Sequence, residues 1–497
     1  MTARPKSGSS TEAPAHELVE AGFALEVADA PLLHEGLNLA DLAHVIVLHE
    51  QGIVPSEAAG RLLGTLLEVV DTPAEAFPYD ASFGDPYNCR ERYFVERLGD
   101  GAGWIHAGRP RREAGRIALR VGLRRLVVGL IEDTAGFAKA VADVAARHAD
   151  TLVPDQTYLQ QAQPSTFGHY LLTFAYPALR DGGRLRHGLE WVNRSPGGAG
   201  CVNGSRLLVS RSREAELLGF DGFIEHTRDA MWQTDGLIDL LATSASLLTN
   251  MSKLAEDLEI WDSQEFDYVD LAGAYTRASV LMPQKRNPYA LSIVRGSAGV
   301  AIGRLSGFLS VVKTPSARSD NLIFAYGEVP RSLELARRTT RLMSGVVSTL
   351  EVNEERMRES LMSGFSQATD LAEWVMQACG VDYRTAYEVV GSAVRRAATE
   401  GLRGVDVSGE MLDRAAERTH GRPLGLTGRD LSEVLDPSSI VMTRTSPGGA
   451  APDVVREMAA SVSGEASELG AEAVSQRRAL DDAEARLLIE AKRLAAP

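Results

Sequence analysis

Three long stretches of this chain contain no proline, and they constrain its fold more than any other feature. They run from Pro110 to Pro154, from Pro196 to Pro283, and from Pro330 to Pro423. Because a proline in the interior of a helix costs about 3 kcal/mol, long helices form most readily in such stretches. The sequence therefore predicts a fold built on long helices.

The first stretch shows the apolar period of an α-helix. Its apolar residues recur at steps of three, four or seven, namely Leu119, Leu123, Leu126, Leu130, Phe137, Val141 and Val144. This spacing places them in one stripe along one side of a helix. At about 1.5 Å per residue, a helix over residues 113–150 would be roughly 57 Å long, which suits an extended bundle. Residues 236–261 and 289–313 have a similar character.

Length and composition extend this to the whole chain. At roughly 150 residues per domain, 497 residues predict about three domains. Aromatic residues make up only 6% of the chain, which favours packed helices over a β-sandwich. We expect an all-α protein with a disordered tail (1–15), an N-terminal helical domain (16–112), a central long-helix bundle (113–363) and a C-terminal helical domain (364–497).

Charge and composition also exclude some classes of function. A formal net charge of −15 argues against nucleic acid as a partner, because phosphate binding needs a basic face. No apolar run reaches about 18 residues, so we expect no membrane span. The polar N-terminus lacks the apolar stretch of a signal peptide, which predicts a cytoplasmic location. The three cysteines are far apart and no zinc-binding spacing occurs, so we expect neither a metal nor another cofactor.

Two segments contain residues that a helix does not need, and both are candidates for chemistry. The first covers residues 155–169, and the second covers residues 278–288. The second holds Ser279, Lys285 and Asn287 between two prolines, so it predicts a loop. Such a loop can bind a small dianion and place an oxygen base beside it. On composition alone, a solvated basic turn between two helices is the alternative.

The second segment, SVLMPQKRNP at residues 279–288, resembles the signature loop of the fumarase/aspartase superfamily. Its Pro-Gln-Lys form is similar to that of the argininosuccinate lyases. Five further segments resemble the family in the same order along the chain, at residues 50–53, 157–169, 254–266, 364–371 and 445–449. The resemblance thus spans roughly residues 20–460.

This resemblance implies an all-α, three-domain subunit in a homotetramer whose active sites are each assembled from three subunits. It implies reversible β-elimination of a succinyl-type substrate, an N-substituted aspartate, to give fumarate and a nitrogen leaving group. Ser279 falls at the catalytic base and Lys285 is available to lower its pKa. Lys285, Asn287 and Thr157 fall where the family holds a carboxylate. The other expected substrate-binding residues are Arg109, Arg112, Gln163 and Ser205.

The chain departs from the family at ligand-facing positions. The histidine that handles the leaving-group proton and its glutamate partner are replaced by Tyr158 and Ser292. Arg112 stands in place of an asparagine, and a further family histidine is replaced by Tyr87. Residues 316–329 show no match to the segment that holds the arginine part of argininosuccinate.

These departures leave two interpretations. In the first, the chain is a lyase for a substrate other than argininosuccinate, with a weakly basic leaving group and Tyr158 as a candidate proton donor. In the second, it is a non-catalytic structural or regulatory homologue. We expect His106 to be a packed, hydrogen-bonded histidine rather than a proton carrier. For Arg109, a structural role is the alternative to contact with the substrate.

Overall fold

The computed structural model describes residues 13–207, 210–314 and 323–496. Most of the predicted disordered tail, residues 1–12, lies outside the described residues, as does the first half of the segment at 316–329. The described helices of the first half are α1 His16–Leu18, α2 Ala24–Ala28, α3 Ala30–Glu50, α4 Ser56–Val70, α5 Pro86–Leu98, α6 Arg111–Arg147, α7 Phe167–Val192, α8 Arg211–Leu217 and α9 Thr227–Trp232. Those of the second half are α10 Asp235–Trp261, α11 Tyr289–Val312, α12 Ala325–Ser348, α13 Glu354–Ser363, α14 Ala368–Cys379, α15 Tyr383–Thr399, α16 Gly409–His420, α17 Ser432–Leu435, α18 Pro437–Met442 and α19 Pro452–Ala495.

Short antiparallel strand pairs interrupt these helices. The strands are β1 Leu152–Thr157, β2 Gln160–Thr166, β3 Val269–Asp270, β4 Arg277–Ala278, β5 Arg286–Asn287 and β6 Glu351–Val352. They pair as β1 with β2, β3 with β6, and β4 with β5. The predicted all-α class is confirmed, because these strands are hairpins and loop closures rather than a core sheet.

The long helices expected over residues 113–150, 236–261 and 289–313 are present as α6, α10 and α11. Two further long helices, α7 and α12, contain prolines in their interiors, at Pro177 and Pro330. The proline argument identifies only stretches that lack proline, so it did not find α7, and it covered α12 only beyond Pro330.

The central bundle packs α6 against α7, α12 and α19, and α10 against α7, α11 and α12. Its core is one continuous apolar cluster that contains the stripe predicted on α6, from Leu119 to Val144. A second apolar cluster lies between α3 and α4, and a third joins α14, α15 and α16. The molecule therefore has a central bundle with a smaller helical unit on each side.

The last helix packs away from the other helices of the predicted C-terminal domain (364–497). The apolar cluster of α14, α15 and α16 ends at Leu435. Helix α19 instead contributes Val455 to Leu480 to the central cluster, and Leu487 and Ala491 to the N-terminal cluster. Its apolar side is buried against α6 and α4. The domain boundaries themselves stay a prediction.

Among the described residues, no helix is long and apolar enough to cross a membrane. The cytoplasmic location stays a prediction.

Candidate active site

The signature loop connects β4 to β5 and holds Ser279 at its start. The Ser279 backbone N–H donates to the Lys285 carbonyl at 3.2 Å, which closes the loop. The Ser279 Oγ accepts hydrogen bonds from the backbone N–H groups of Leu281 at 3.3 Å and Met282 at 2.9 Å. Because hydrogen bonds to a charged form favour that form, two N–H groups aimed at Oγ stabilise negative charge on this oxygen. The loop geometry thus suits Ser279 to the work of a base.

The other predicted loop residues also lie near the surface. Asn287 donates its amide to the Arg277 carbonyl at 2.9 Å, and Arg286 is paired with Asp270. The Lys285 side chain is exposed and has no partner among the described residues. The loop tip is apolar as well as exposed, since Leu281 is 82% exposed. A cation and an apolar tip that are exposed on one loop form a surface that is open to a ligand or a partner.

Thr157 and Tyr158 lie at the tip of the β1–β2 hairpin. Tyr158 and Leu159 both have left-handed backbones, with φ of 57° and 59°. A two-residue hairpin turn of this kind normally contains Asn-Gly, because other side chains are strained there. Tyr158 is also 99% exposed. A strained, exposed aromatic residue at a hairpin tip indicates a functional position.

The hairpin is attached to helix α13 close to its tip by Gln161, which the sequence did not single out. The Gln161 amide donates to the Ser360 carbonyl at 3.0 Å and to its Oγ at 3.1 Å. Tyr268 donates to the same Ser360 Oγ at 2.6 Å. Gln163, the predicted ligand, is instead exposed on β2. Gln161 therefore holds the hairpin, while Gln163 is accessible to a ligand.

A separate open cleft of about 580 Å³ lies between the turn before α6 and a glycine-rich loop. Its lining residues are Tyr87, Asn88, Glu91, His106, Gly108, Arg109, Pro110, Arg111, Gly200, Cys201, Gly204, Ser205 and Arg206. Ser205, a predicted ligand, is at its wall and its Oγ accepts from the Leu207 N–H at 3.1 Å. Arg111 is exposed and paired with Asp85 at 3.0 Å.

Glu113 joins the two walls of this cleft. Its carboxylate oxygens accept the backbone N–H of Gly198 at 2.6 Å and of Gly200 at 2.7 Å. Both glycines have left-handed backbones, with φ of 72° and 57°, which turns their N–H groups toward the carboxylate. Burial raises the pKa of Glu113, and the two N–H groups oppose that rise. Glu113 thus fixes the glycine-rich loop to the start of α6.

Arg109 has a different environment from the one predicted. Its guanidinium is buried, paired with Asp41, and donates to the Ala40 carbonyl at 3.0 Å. Burial pushes the pKa of Asp41 up, but the charges of Arg109 and Arg90 outweigh this and lower it. The structure therefore favours the structural role of Arg109 over the predicted contact with substrate.

Arg112 lies outside this cleft, in a small adjoining pocket with Asp29, Asp85 and Tyr326. One turn further along α6, Arg116 is buried against the Tyr326 ring, 5.5 Å from its centroid. The Nε and Nη2 atoms of Arg116 have no hydrogen-bond partner among the described residues, and burial lowers its pKa. The start of α6 is therefore strongly cationic.

Within the described ranges, no group of three or more His, Cys, Asp or Glu side chains is placed to hold a metal ion. The signature loop, the hairpin tip and the cleft are three separate groups of candidate residues in this chain. No hydrogen bond or ion pair joins the side chains of Tyr158 or Lys285 to the cleft among these residues.

Comparisons with known proteins decide the family. Residues 68–303 match the family model described as lyase, and residues 365–442 match that of the argininosuccinate lyase C-terminal region. The argininosuccinate lyase of Methanothrix thermoacetophila is 34% identical over 424 residues, covering 84% of this chain and 85% of that protein. The chain belongs to the argininosuccinate lyase-like branch of the fumarase/aspartase superfamily. The argininosuccinate lyase of Methanosarcina mazei is 33% identical, covering 84% of each chain.

Solved structures agree with this membership. A crystal structure of EDDS lyase in complex with formate superposes on this lyase with a TM-score of 0.87. It is 28% identical, and the match covers 98% of this chain and 97% of that chain. The 3-carboxy-cis,cis-muconate lactonizing enzyme of Pseudomonas putida shares the fold, with a TM-score of 0.70 at 19% identity, covering 91% of this chain and all of that chain. This lyase is a carbon–nitrogen lyase.

Proposed function

We propose that this lyase catalyses the reversible β-elimination of an N-substituted aspartate to fumarate and a nitrogen leaving group, with Ser279 as the base. The observation that carries the proposal is the signature loop, in which two backbone N–H groups point at the Ser279 Oγ. Lys285 and Asn287 follow on the same loop as a cation and an amide. This elimination needs neither a metal nor an organic cofactor.

The reaction begins when the Ser279 oxygen removes a proton from Cβ of the substrate. The electrons of that C–H bond pass to the adjacent carboxylate and form a dianionic aci-carboxylate. This species exists only on the way to product, so groups that bind it lower the barrier more than groups that bind the substrate. We assign that work to Lys285 and Asn287, with the Thr157 hydroxyl and the Gln163 amide as further ligands of the succinyl part.

We propose a leaving group other than arginine. Tyr158 and Ser292 stand where the family has its histidine and glutamate. Ser292 donates to Glu259 at 3.4 Å, and Glu259 is paired with Arg295 at 2.6 Å. Ser292, at the position of the family glutamate, therefore takes part in a contact between α10 and α11. Without the family histidine and its glutamate, less help from an acid is available at this position, so a leaving group less basic than the guanidine of arginine is favoured.

We also propose that the enzyme is a homotetramer with composite active sites. One side of α11 is exposed and carries Gly296, Gly299, Gly303 and Gly307, where an added Cβ would meet nothing within 4 Å. Ile293 and Val300 on the same helix are 41% and 47% exposed. Small and apolar residues on an exposed helix favour close packing against another helix. Such packing would bring the signature loop and hairpin tip of one copy to the cleft of another.

The test is fumarate formation, followed by its ultraviolet absorbance, with a panel of N-substituted aspartates. The panel contains argininosuccinate, adenylosuccinate, nitrosuccinate, hydrazinosuccinate and ethylenediamine disuccinate. We expect turnover of at least one substrate other than argininosuccinate and loss of that turnover in Ser279→Ala. Ser467→Ala, at an exposed position of α19 whose hydroxyl, among the described residues, bonds only the Ser463 carbonyl of its own helix, is the control. Turnover of argininosuccinate alone would contradict the choice of leaving group.

The alternative from the sequence, a non-catalytic homologue, makes a different prediction. Such a protein would release no fumarate from any member of the panel and would show no rise in melting temperature with fumarate. Membership of the carbon–nitrogen lyases disfavours it.

A further inference from the structure

A chain of hydrogen bonds leads to the Tyr87 phenol in the wall of the cleft. The Tyr87 hydroxyl is 3.3 Å from Nδ1 of His106, and Nε2 of His106 is 3.2 Å from Oε1 of Glu91. The Arg109 Nη2 donates to the same Tyr87 oxygen at 3.4 Å. All four side chains line the cleft. The phenol is therefore connected to a histidine, a carboxylate and a fixed cation.

The direction of these hydrogen bonds determines where the phenolic hydrogen points. When His106 is protonated and paired with Glu91, its Nδ1–H donates to the Tyr87 oxygen. Arg109 donates to that oxygen as well, since a guanidinium has no acceptor. The two lone pairs of the oxygen are then occupied, and its own O–H is left to donate elsewhere. The cleft is the open space beside it.

The protonation state of Tyr87 suits a proton donor. Burial raises the pKa of Tyr87, so that the phenol keeps its proton at neutral pH. The positive charge of Arg109 acts in the opposite direction and stabilises the phenolate once the proton has left. The buried Asp41–Arg109 pair holds that charge in place.

We propose that Tyr87 is a catalytic residue that protonates the departing nitrogen, with His106, Glu91 and Arg109 as positioning residues. The proposal rests on the elimination proposed above and gives this lyase an acid where the family histidine and its glutamate are missing. His106, predicted from the sequence to be a packed residue, thus has a role in the proposed reaction.

The proton balance is as follows. Ser279 takes the Cβ proton, the C–N bond breaks, and its electron pair stays on nitrogen. The Tyr87 O–H proton moves to that nitrogen, and the Nδ1 proton of His106 moves to the phenolate. His106 becomes neutral and keeps its Nε2–H toward Glu91. Water then returns one proton to His106, and Ser279 releases one proton to water.

Tyr158 is the competing donor, and its surroundings differ. It is 99% exposed and its phenol has no partner among the described residues. Among the described residues, no cation or histidine of its own chain bonds to it to stabilise its phenolate. Tyr87 has both within hydrogen-bond distance, so its phenolate is stabilised when the proton leaves.

The test is the dependence of kcat/KM on the basicity of the leaving group. A general acid matters most for a strongly basic leaving group. We expect Tyr87→Phe to lower kcat/KM about 100-fold for ethylenediamine disuccinate and less than about threefold for nitrosuccinate. The matched control is Tyr79→Phe, because the Tyr79 hydroxyl is 2.8 Å from Nδ1 of His34 and lies outside the cleft. This control loses a Tyr–His hydrogen bond of the same kind and should keep wild-type kinetics on both substrates.

Variants of the positioning residues should show the same dependence on the basicity of the leaving group. We expect His106→Gln and Glu91→Gln to reduce turnover of the basic leaving group more than that of the weak one. Equal losses on both substrates in Tyr87→Phe would overturn the proposal, as would a leaving-group dependence found in Tyr158→Phe and not in Tyr87→Phe. If the wild type turned over only one of the two substrates, hydrazinosuccinate or adenylosuccinate would replace the substrate that releases no fumarate, and the comparison would otherwise be the same. If the wild type releases no fumarate from any substrate, the proposed elimination itself fails and the assignment of Tyr87 fails with it.

Discussion

The signature loop and the cleft before α6 are built in opposite ways. The loop and the hairpin tip carry exposed side chains, since Tyr158 and Leu281 are 99% and 82% exposed and Lys285 is exposed as well. The cleft is instead fastened by buried groups, since Glu113 binds two backbone N–H groups and Arg109 is paired with Asp41.

The positions of the cleft residues and of the loop residues are thus set in different ways. The walls of the cleft are fixed by contacts inside one chain. The loop and hairpin tip place chemistry-bearing residues on exposed turns, and in the proposed assembly another copy supplies their surroundings. Under that proposal the two regions are two halves of one site, and we expect them to respond differently to mutation.

The largest effect should come from blocking assembly at α11. An added Cβ at Gly303 meets nothing within 4 Å in the chain, so Gly303→Leu should leave the subunit fold intact. It should prevent close packing against another copy, and with it all fumarate release. Light scattering gives the mass of the assembly, and circular dichroism checks the fold. Gly464→Leu, at an equally open position on α19, is the control. A tetrameric, active Gly303→Leu would show that this side of α11 is not an interface.

The next effect should come from releasing the glycine-rich loop. Glu113→Gln replaces one acceptor oxygen by an amide N–H, which faces a backbone N–H of Gly198 or Gly200. Misplacing the cleft wall by about 1 Å should lower kcat/KM about 100-fold. Steady-state kinetics on the best substrate measure this. Asp143→Asn, an exposed residue of the same helix paired with Lys139, should keep wild-type activity. Unchanged kinetics in Glu113→Gln would show that the position of the glycine-rich loop does not affect the reaction.

A third effect concerns stability behind the cleft. Glu214 is buried beside Gly197, with the His44 Nδ1 at 3.8 Å from its carboxylate. Burial, aided by the charge of Glu113, raises the pKa of Glu214 from 4.5 to about 7. The unfolded carboxyl ionises from about pH 4.5, while the folded one stays protonated up to about pH 7. Wild-type stability should therefore fall across this window and then level off.

Glu214→Gln cannot ionise and should not show this fall. Its stability relative to wild type should rise by about 3 kcal/mol between pH 4.5 and pH 8, measured by urea denaturation. Glu216→Gln, on the exposed side of α8, supplies the control. Parallel pH curves for wild type and Glu214→Gln would contradict the buried, protonated carboxyl.

The smallest effect should be a gain in stability at the hairpin tip. Leu159 has a left-handed backbone, which costs an L-residue about 1–2 kcal/mol. Leu159→Gly should therefore raise the free energy of unfolding by about 1 kcal/mol. Leu281→Gly is the comparison, because it removes an exposed leucine without a left-handed backbone and should bring no gain. A destabilised Leu159→Gly would mean that the tip is not strained.

Much of the fold could be predicted from the sequence, because helices α6, α10 and α11 carry a local apolar period. The placement of α19 could not, since its apolar residues do not show which unit they pack against. The β1–β2 hairpin was recognised only as a break in the helical pattern. Its polar residues do not alternate with apolar ones, so the period of a strand is absent.

For the site, the loop residues Ser279, Lys285 and Asn287 could be identified from their motif. The burial of Arg109 could not, because its partner Asp41 is 68 residues away and no local pattern links them. The contacts of Glu113 could not be predicted from the sequence either. Its role depends on Gly198 and Gly200, which the fold brings to it from 85 and 87 residues away.

The most direct test of a site composed of two halves is to combine two variants, each of which is impaired in one half. Ser279→Ala damages only the loop half, and Glu113→Gln damages only the cleft half. Each variant is tagged differently, the two are co-expressed, and mixed assemblies carrying both tags are purified for a fumarate-release assay. If loop and cleft come from different copies, some sites combine an intact loop with an intact cleft, and activity should rise above that of either variant alone. Mixed assemblies no more active than their parents would show that both halves act from the same chain.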